Sequence, residues 1–198
     1  MGFASLGSGS RGNGTLVSLG GKILLVDCGF TLKQTERRLA RLGLSGGDLD
    51  AVLISHEHSD HISGVAALAH KYAIPVHASY GTLKRDLRGA TCIPFDGDSA
   101  FDFDGVSVNP VCVPHDAREP AQFVFHNGRS KLGLLTDVGS ITPVIESALD
   151  VCDALLLEAN HDVTMLANGD YPASLKQRVG GRFGHLNNVQ SATLLAKI

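Results

Sequence analysis

The sequence predicts an α/β fold of the sandwiched kind, mixed β-sheets layered with helices, and two observations carry that prediction. Short runs rich in leucine, valine and isoleucine (TLVSL, KILLVD, AVLIS) alternate with longer stretches of helical periodicity such as TLKQTERRLARLG. In the middle of the chain, Asn-Gly and Asp-Gly pairs punctuate further apolar runs and mark hairpins. With neither an internal repeat nor a linker in its 198 residues, the chain reads as a single domain, 1–198.

Taken in order, FASL, TLVSL and KILLVD are strand-like runs split by glycine-rich turns. TLKQTERRLARLG follows as an amphipathic helix with Leu32, Leu39 and Leu42 on its apolar side. AVLIS (51–55) is a buried strand, and ISGVAALAHKY after it is one helix. IPVHA is a strand, GTLKRDLRG centres a helix, and FDFDGVSVNPVCVPH, AQFVFHNGR and SKLGLLTD form a β-rich stretch. SITPVIESAL and NNVQSATLLAKI are helices on either side of the strand DALLLE.

Hydrophobic content of 43% and charged content of 19% describe an ordinary globular chain. No apolar run approaches the ~20 residues that cross a bilayer, so no membrane span is expected. The start MGFASLGSGS lacks the basic and long apolar segments of a secretory signal, which makes the cytoplasm the expected location. Cys28, Cys92, Cys112 and Cys152 are scattered and form no CxxC pair, a pattern of free thiols rather than of a zinc knuckle or a disulfide framework. The net charge of −3 does not exclude an anionic substrate, because acids that bind metal do not repel it.

Polar groups stand where apolar strands stop: AVLIS runs into His56, VSVNPVCVP into His115, KLGLLT into Asp137, and DALLLE ends on Glu158. Ligand crevices of open α/β sheets lie beyond the carboxyl ends of strands, so these four segments can aim their last residues at one cleft. The densest cluster is HEHSDH, residues 56–61. His56 and His58, two apart in extended backbone, project to one side and can grip one ion. Asp60 and His61, as the chain turns into helix, point toward a second, and a carboxylate such as Asp137 can be shared between the two, with His115 completing the first shell. The spacing is not HExxH, which excludes the helical zincin arrangement. His70, His77 and His126 stand alone and read as structural. Imidazole and carboxylate donors without thiolate fit zinc or manganese, and iron also.

HxHxDH after an apolar strand, followed by a distant His and Asp, resembles the metallo-β-lactamase fold superfamily, whose αββα sandwich is the architecture this resemblance implies. LLVDCG resembles the superfamily's first motif, in which Asp27 would brace the metal-binding loop. SLGSGSRGN, ISHEHSDHISG, VPHDAREPAQFVF, LLTDVGS, LLLEANHDVTML, GDYPASLKQRV and GRFGHLNN, in that order, are similar to the YycJ/WalJ-like branch. The branch implies phosphodiester hydrolysis, 5′-to-3′ exonuclease activity on DNA, and kinship with ribonuclease Z enzymes. By the same resemblance Asp137 matches the bridging carboxylate and His115 the third histidine of the first ion, while Glu158 orients His185 to protonate the leaving oxygen. His185 as a second-site metal ligand is the competing role. The superfamily normally supplies one more histidine after a strand that follows the last helix, whereas this chain stops at Ile198. The resemblance therefore implies a C-terminally incomplete domain lacking its final strand or strands.

The mechanism this implies is attack on phosphorus by water activated between two divalent ions, with Asp60 also orienting that water. Two readings stay open for GSGSRGNG (7–14): a plain glycine turn, or a loop whose amides cradle phosphate with Ser10 and Asn13 as its polar contacts. Lys33, Arg37 and Arg41, and likewise Lys84, Arg85 and Arg88, are solvated faces or tracks for a nucleic-acid backbone. Trp is absent and no aromatic platform interleaves with the basic residues, so duplex DNA suits the sequence better than stacked single strands. Two other functions compete: hydrolysis of a small ester, lactone or thioester by the same metal chemistry, and a regulatory metal-binding module without turnover.

Overall fold

The computed structural model describes residues 1–198 as two compact units. The first comprises Met1–Asp96, Phe101–Val106 and Ala117–Glu119. Its six-stranded sheet runs in sequence order: β1 (Gly2–Gly7), β2 (Gly14–Leu19), β3 (Lys22–Val26), β4 (Ala51–Ile54), β5 (Val76–Ser79) and β6 (Cys92–Phe95). β1, β2 and β3 pair antiparallel, whereas β3 through β6 are parallel. The parallel strands explain the unbroken apolar run of β4: all four of its residues are buried, as expected where both faces of a strand are covered. Helix α1 (Leu32–Ala40) opens with a capping box in which the Thr31 hydroxyl accepts from the Gln34 amide and the Gln34 side chain accepts from the Thr31 amide.

The helix expected over ISGVAALAHKY is two helices, α2 (Ser59–Ile62) and α3 (Val65–Tyr72). They part at Gly64, whose amide donates to the Cys28 carbonyl and where any Cβ would lie 2.0 Å from the Phe30 carbonyl oxygen. Leu39 of α1 is fully buried, but Leu42 lies past the end of the helix and is 48% exposed, so it is not part of the apolar face. GTLKRDLRG forms a single 3₁₀ turn, Thr82–Lys84, in place of the expected helix. β6 was not expected; it contains Pro94 and pairs only with β5, at the sheet edge where a missing N–H is tolerated. Of the short strand β7 (Phe101–Phe103), Phe101 stacks on His77 of β5 at 5.4 Å between ring centroids.

The second unit comprises Gly97–Ala100, Ser107–Asp116 and Pro120–Ile198. Its strands β8 (Val106–Cys112), β9 (Ala121–His126), β10 (Lys131–Leu135) and β11 (Ala154–Leu157) lie side by side. β9 is antiparallel to both β8 and β10, and β10 is parallel to β11, so β8, β10 and β11 all end at the same edge. Val111, Val124, Leu135, Ile145 of α4 (Pro143–Leu149) and Leu194 of α7 (Asn188–Leu195) share one buried cluster. Two helices of this unit were not expected, α5 (Val163–Asn168) and α6 (Ala173–Val179); neither buries a residue, so neither left an apolar stripe in the sequence.

Candidate metal centre

In the first unit the parallel ends of β3 and β4 set the geometry. Asp27, one residue past β3, takes the left-handed backbone (φ 60°), a conformation that aspartate tolerates and that marks a constrained position. Its carboxylate accepts from the Ser55 amide and the Ser55 hydroxyl, each at 2.8 Å, and from Nδ1 of His61 at 2.8 Å. Because the Ser55 hydroxyl donates to Asp27, it accepts from His56 Nδ1 at 2.9 Å. Both tautomers follow from this network: His56 and His61 carry their protons on Nδ1 and keep an Nε2 lone pair. His56 Nε2 lies 3.0 Å from His58 Nδ1, and the His56 and His61 rings are 4.1 Å apart between centroids. His56 and His61 are buried, His58 and Asp60 half-buried.

Asn13 ties the glycine-rich loop to this cluster. Its Oδ1 accepts from the Gly9 amide at 2.8 Å, while Nδ2 lies 3.2 Å from Asp60 Oδ2 and 3.0 Å from His61 Nε2. Its backbone amide donates to the Asp60 carbonyl. Ser10 is exposed on the loop. Glu57, between the two histidines, accepts the Arg118 amide at 3.0 Å and so fastens residues 117–119 to the HEHSDH segment. The thiol of buried Cys28 is pushed up to about 11 by burial, against an opposing hydrogen bond with Thr35, which leaves it unreactive.

In the second unit the common edge of β8, β10 and β11 carries His115, Asp137 and Glu158, all buried. His115 Nδ1 donates to the Gly184 carbonyl at 3.0 Å, which again leaves Nε2 as the lone pair. Glu158 Oε2 accepts from the amides of Val138 and Leu186, each at 3.1 Å, and Oε1 takes His185 Nδ1 at 2.6 Å. With three donors on it, Glu158 is a holder of His185. Asp137, Glu158 and His185 each offer a ligand atom within 4.8 Å of the others, and His185 Nδ1 lies 3.6 Å from Asp137 Oδ1. Burial lowers the His185 pKa, but the hydrogen bond to Glu158 and the charges of Glu158, Asp137 and Asp116 outweigh it, so the net shift is upward. Asp116 is itself held by Arg178 of α6 at 2.6 Å.

This donor set fits divalent metal. His56, His61 and His115 are each pinned through Nδ1 so that Nε2 is presented unprotonated, and a hydrogen bond on the distal ring nitrogen is the usual support of a metal-ligating histidine. Nitrogen and oxygen donors without cysteine are the set expected for zinc, manganese or iron. Ser55 and the Gly184 carbonyl are parts of this support that the sequence did not reveal, since each acts through a partner 28 and 69 residues away respectively.

Comparison with known proteins agrees. Residues 22–198 match the model of the beta-lactamase superfamily domain, and the chain belongs to that family. Among curated proteins, it is 38% identical over 202 residues to exodeoxyribonuclease YycJ of Bacillus anthracis, covering 99% of this chain and 76% of the relative. It is also 34% identical over 203 residues to exodeoxyribonuclease WalJ of Streptococcus pneumoniae, covering 98% and 76%. Among solved structures, the short form of human tRNase Z superposes with a TM-score of 0.73 at 16% identity over 98% of this chain and 87% of that one, a likeness of fold. The metallo-β-lactamase fold implied by the sequence motifs is therefore the fold of the protein. No helix is long and apolar enough to cross a membrane.

Proposed function

We propose that the protein is a metal-dependent phosphodiesterase acting on duplex DNA as a 5′-to-3′ exonuclease. The observation that carries this reading is the pairing of two relatives named exodeoxyribonuclease, aligned over nearly the whole chain, with histidines held by Nδ1 in both units. In this proposal His56, His58 and His115 hold one ion, Asp60 and His61 hold the other, and Asp137 is shared. Zinc or manganese ions held by these residues would supply an acidified water and would offset the charge that grows on phosphate oxygens. The chain's own groups do the rest. Asp27 and Ser55 fix His56 and His61 in the binding tautomer, and Asp60 orients the attacking water. His185, held by Glu158 and shifted toward its protonated form, delivers a proton to the departing oxygen.

Ser10 on the exposed loop contacts substrate, and Asn13 transmits the loop's position to Asp60 and His61. Lys33, Arg37 and Arg41, all exposed along α1, follow the duplex backbone, as do Lys84, Arg85 and Arg88. All four cysteines are free, which fits the cytoplasmic location that belongs to the same proposal. The test is incubation of the manganese- or zinc-loaded protein with end-labelled duplexes beside His58→Ala. Processive loss of label from the 5′ end by the wild type alone supports the proposal. Degradation by both samples, or by neither, counts against it, and turnover of a generic ester without salt-sensitive DNA binding would favour the small-molecule reading.

A further inference from the structure

An open cleft of about 510 Å³ lies on the first unit, walled by residues 7–12, Phe30, Gln34 and Arg38. Its lining contains two arginines, Arg11 and Arg38, and no acid. The loop that walls it is drawn flat over the Phe30 ring: Gly7 (φ 155°) and Gly12 (φ 143°) would place a Cβ 2.7 and 2.6 Å from ring carbons. Only glycine allows that approach. Arg38 is fixed rather than solvated. Its guanidinium sits 3.9 Å from the Phe30 centroid, Nη1 donates to the Leu6 carbonyl, and Nε is buried without a hydrogen-bond partner in the chain.

We propose that this cleft is a phosphate subsite, gripped by Arg38, Arg11 and Gln34, for a strand phosphate beside the one that is cleaved. Anion binding follows from two guanidinium groups, a side-chain amide and small-residue backbone with no carboxylate to compete. The link to the reacting centre is Asn13, which joins the Gly9 end of this loop to Asp60 and His61. A phosphate held in the cleft thus sets the position of the strand relative to those ligands. The choice of a nucleic-acid phosphate as the anion rests on the nuclease reading, whereas the anion site itself rests on the cleft.

The experiment is a titration of the metal-free full chain with inorganic phosphate and with a DNA dinucleotide bearing either a 5′-phosphate or a 5′-hydroxyl, followed by NMR of the Gly9–Gly12 amides and the Arg38 Nε–H. Saturable shifts confined to these groups are expected, with Arg11→Ala and Arg38→Gln each weakening binding by about tenfold or more. Arg11 is exposed, so Arg11→Ala leaves the fold intact and keeps the test valid if Arg38→Gln does not fold. Preference for the 5′-phosphate identifies a terminal phosphate as the ligand, and equal binding identifies an internal one. Absence of shifts in the loop, or unchanged affinity in both variants, overturns the proposal. Duplex degradation by a protein whose loop does not respond removes the subsite and leaves the nuclease reading standing; a responsive loop without degradation does the reverse.

Discussion

Asp27 concentrates the residue-scale argument, because one carboxylate accepts two bonds from Ser55 and one from His61 while its own backbone sits at φ 60°. Asp27→Ala leaves buried donors on both partners and is expected to cost about 1–3 kcal/mol of stability. The same change frees the His61 ring and lowers metal affinity by about 10–100-fold, read by chelator competition. Glu158 calls for a different outcome. It is saturated by Val138, Leu186 and His185, so Glu158→Gln is expected to keep bound metal while lowering turnover by about 10²–10⁴-fold, measured as kcat beside elemental content. A variant that loses its metal would reassign Glu158 as a ligand. The histidine cluster proposed as the metal site stands out in the sequence because three histidines fall within six residues at strand-end spacing. Their supports do not, because a serine after AVLIS or a backbone carbonyl at Gly184 carries no compositional signal.

At the scale of elements, legibility followed burial. β2, β3 and β4 were readable because their leucines and valines are buried in the sheet, and α7 because Leu194 enters the core. α5 and α6 bury nothing, β6 contains Pro94, and the turn at Gly64 is imposed by the Phe30 carbonyl, a contact made through folding. Hydrogen exchange tests this difference: amides of α5 and α6 are expected to exchange through local opening well before those of β3 and β4. Uniform protection across them would mean that packing alone does not explain the missed helices. β5 carries a pH dependence of its own. His77 is buried against Phe101 and Phe103, with no partner on Nε2, and burial holds its pKa below 6.5. The folded state therefore binds fewer protons there than the unfolded state, so stability rises with pH across this window. The contribution is complete above pH 6.5 and is lost as pH falls from 6.5 toward the depressed folded-state value. Chemical denaturation should show the gap between His77→Phe and wild type shifting in favour of the variant below pH 6.5, and a constant gap would contradict it.

For the whole molecule, family membership and fold were both legible, since the motifs span the chain in order and the matched domain covers residues 22–198. Each unit carries part of the proposed donor set: the first holds His56, His58, Asp60 and His61, the second His115 and Asp137. The central proposal is that both parts serve one pair of ions. Elemental analysis of the purified protein, beside His58→Ala from one unit and Asp137→Ala from the other, tests this most directly. The account predicts two divalent ions per chain in the wild type and a clear loss in either variant, whereas a metal-free wild type, or a content that neither substitution changes, would contradict it.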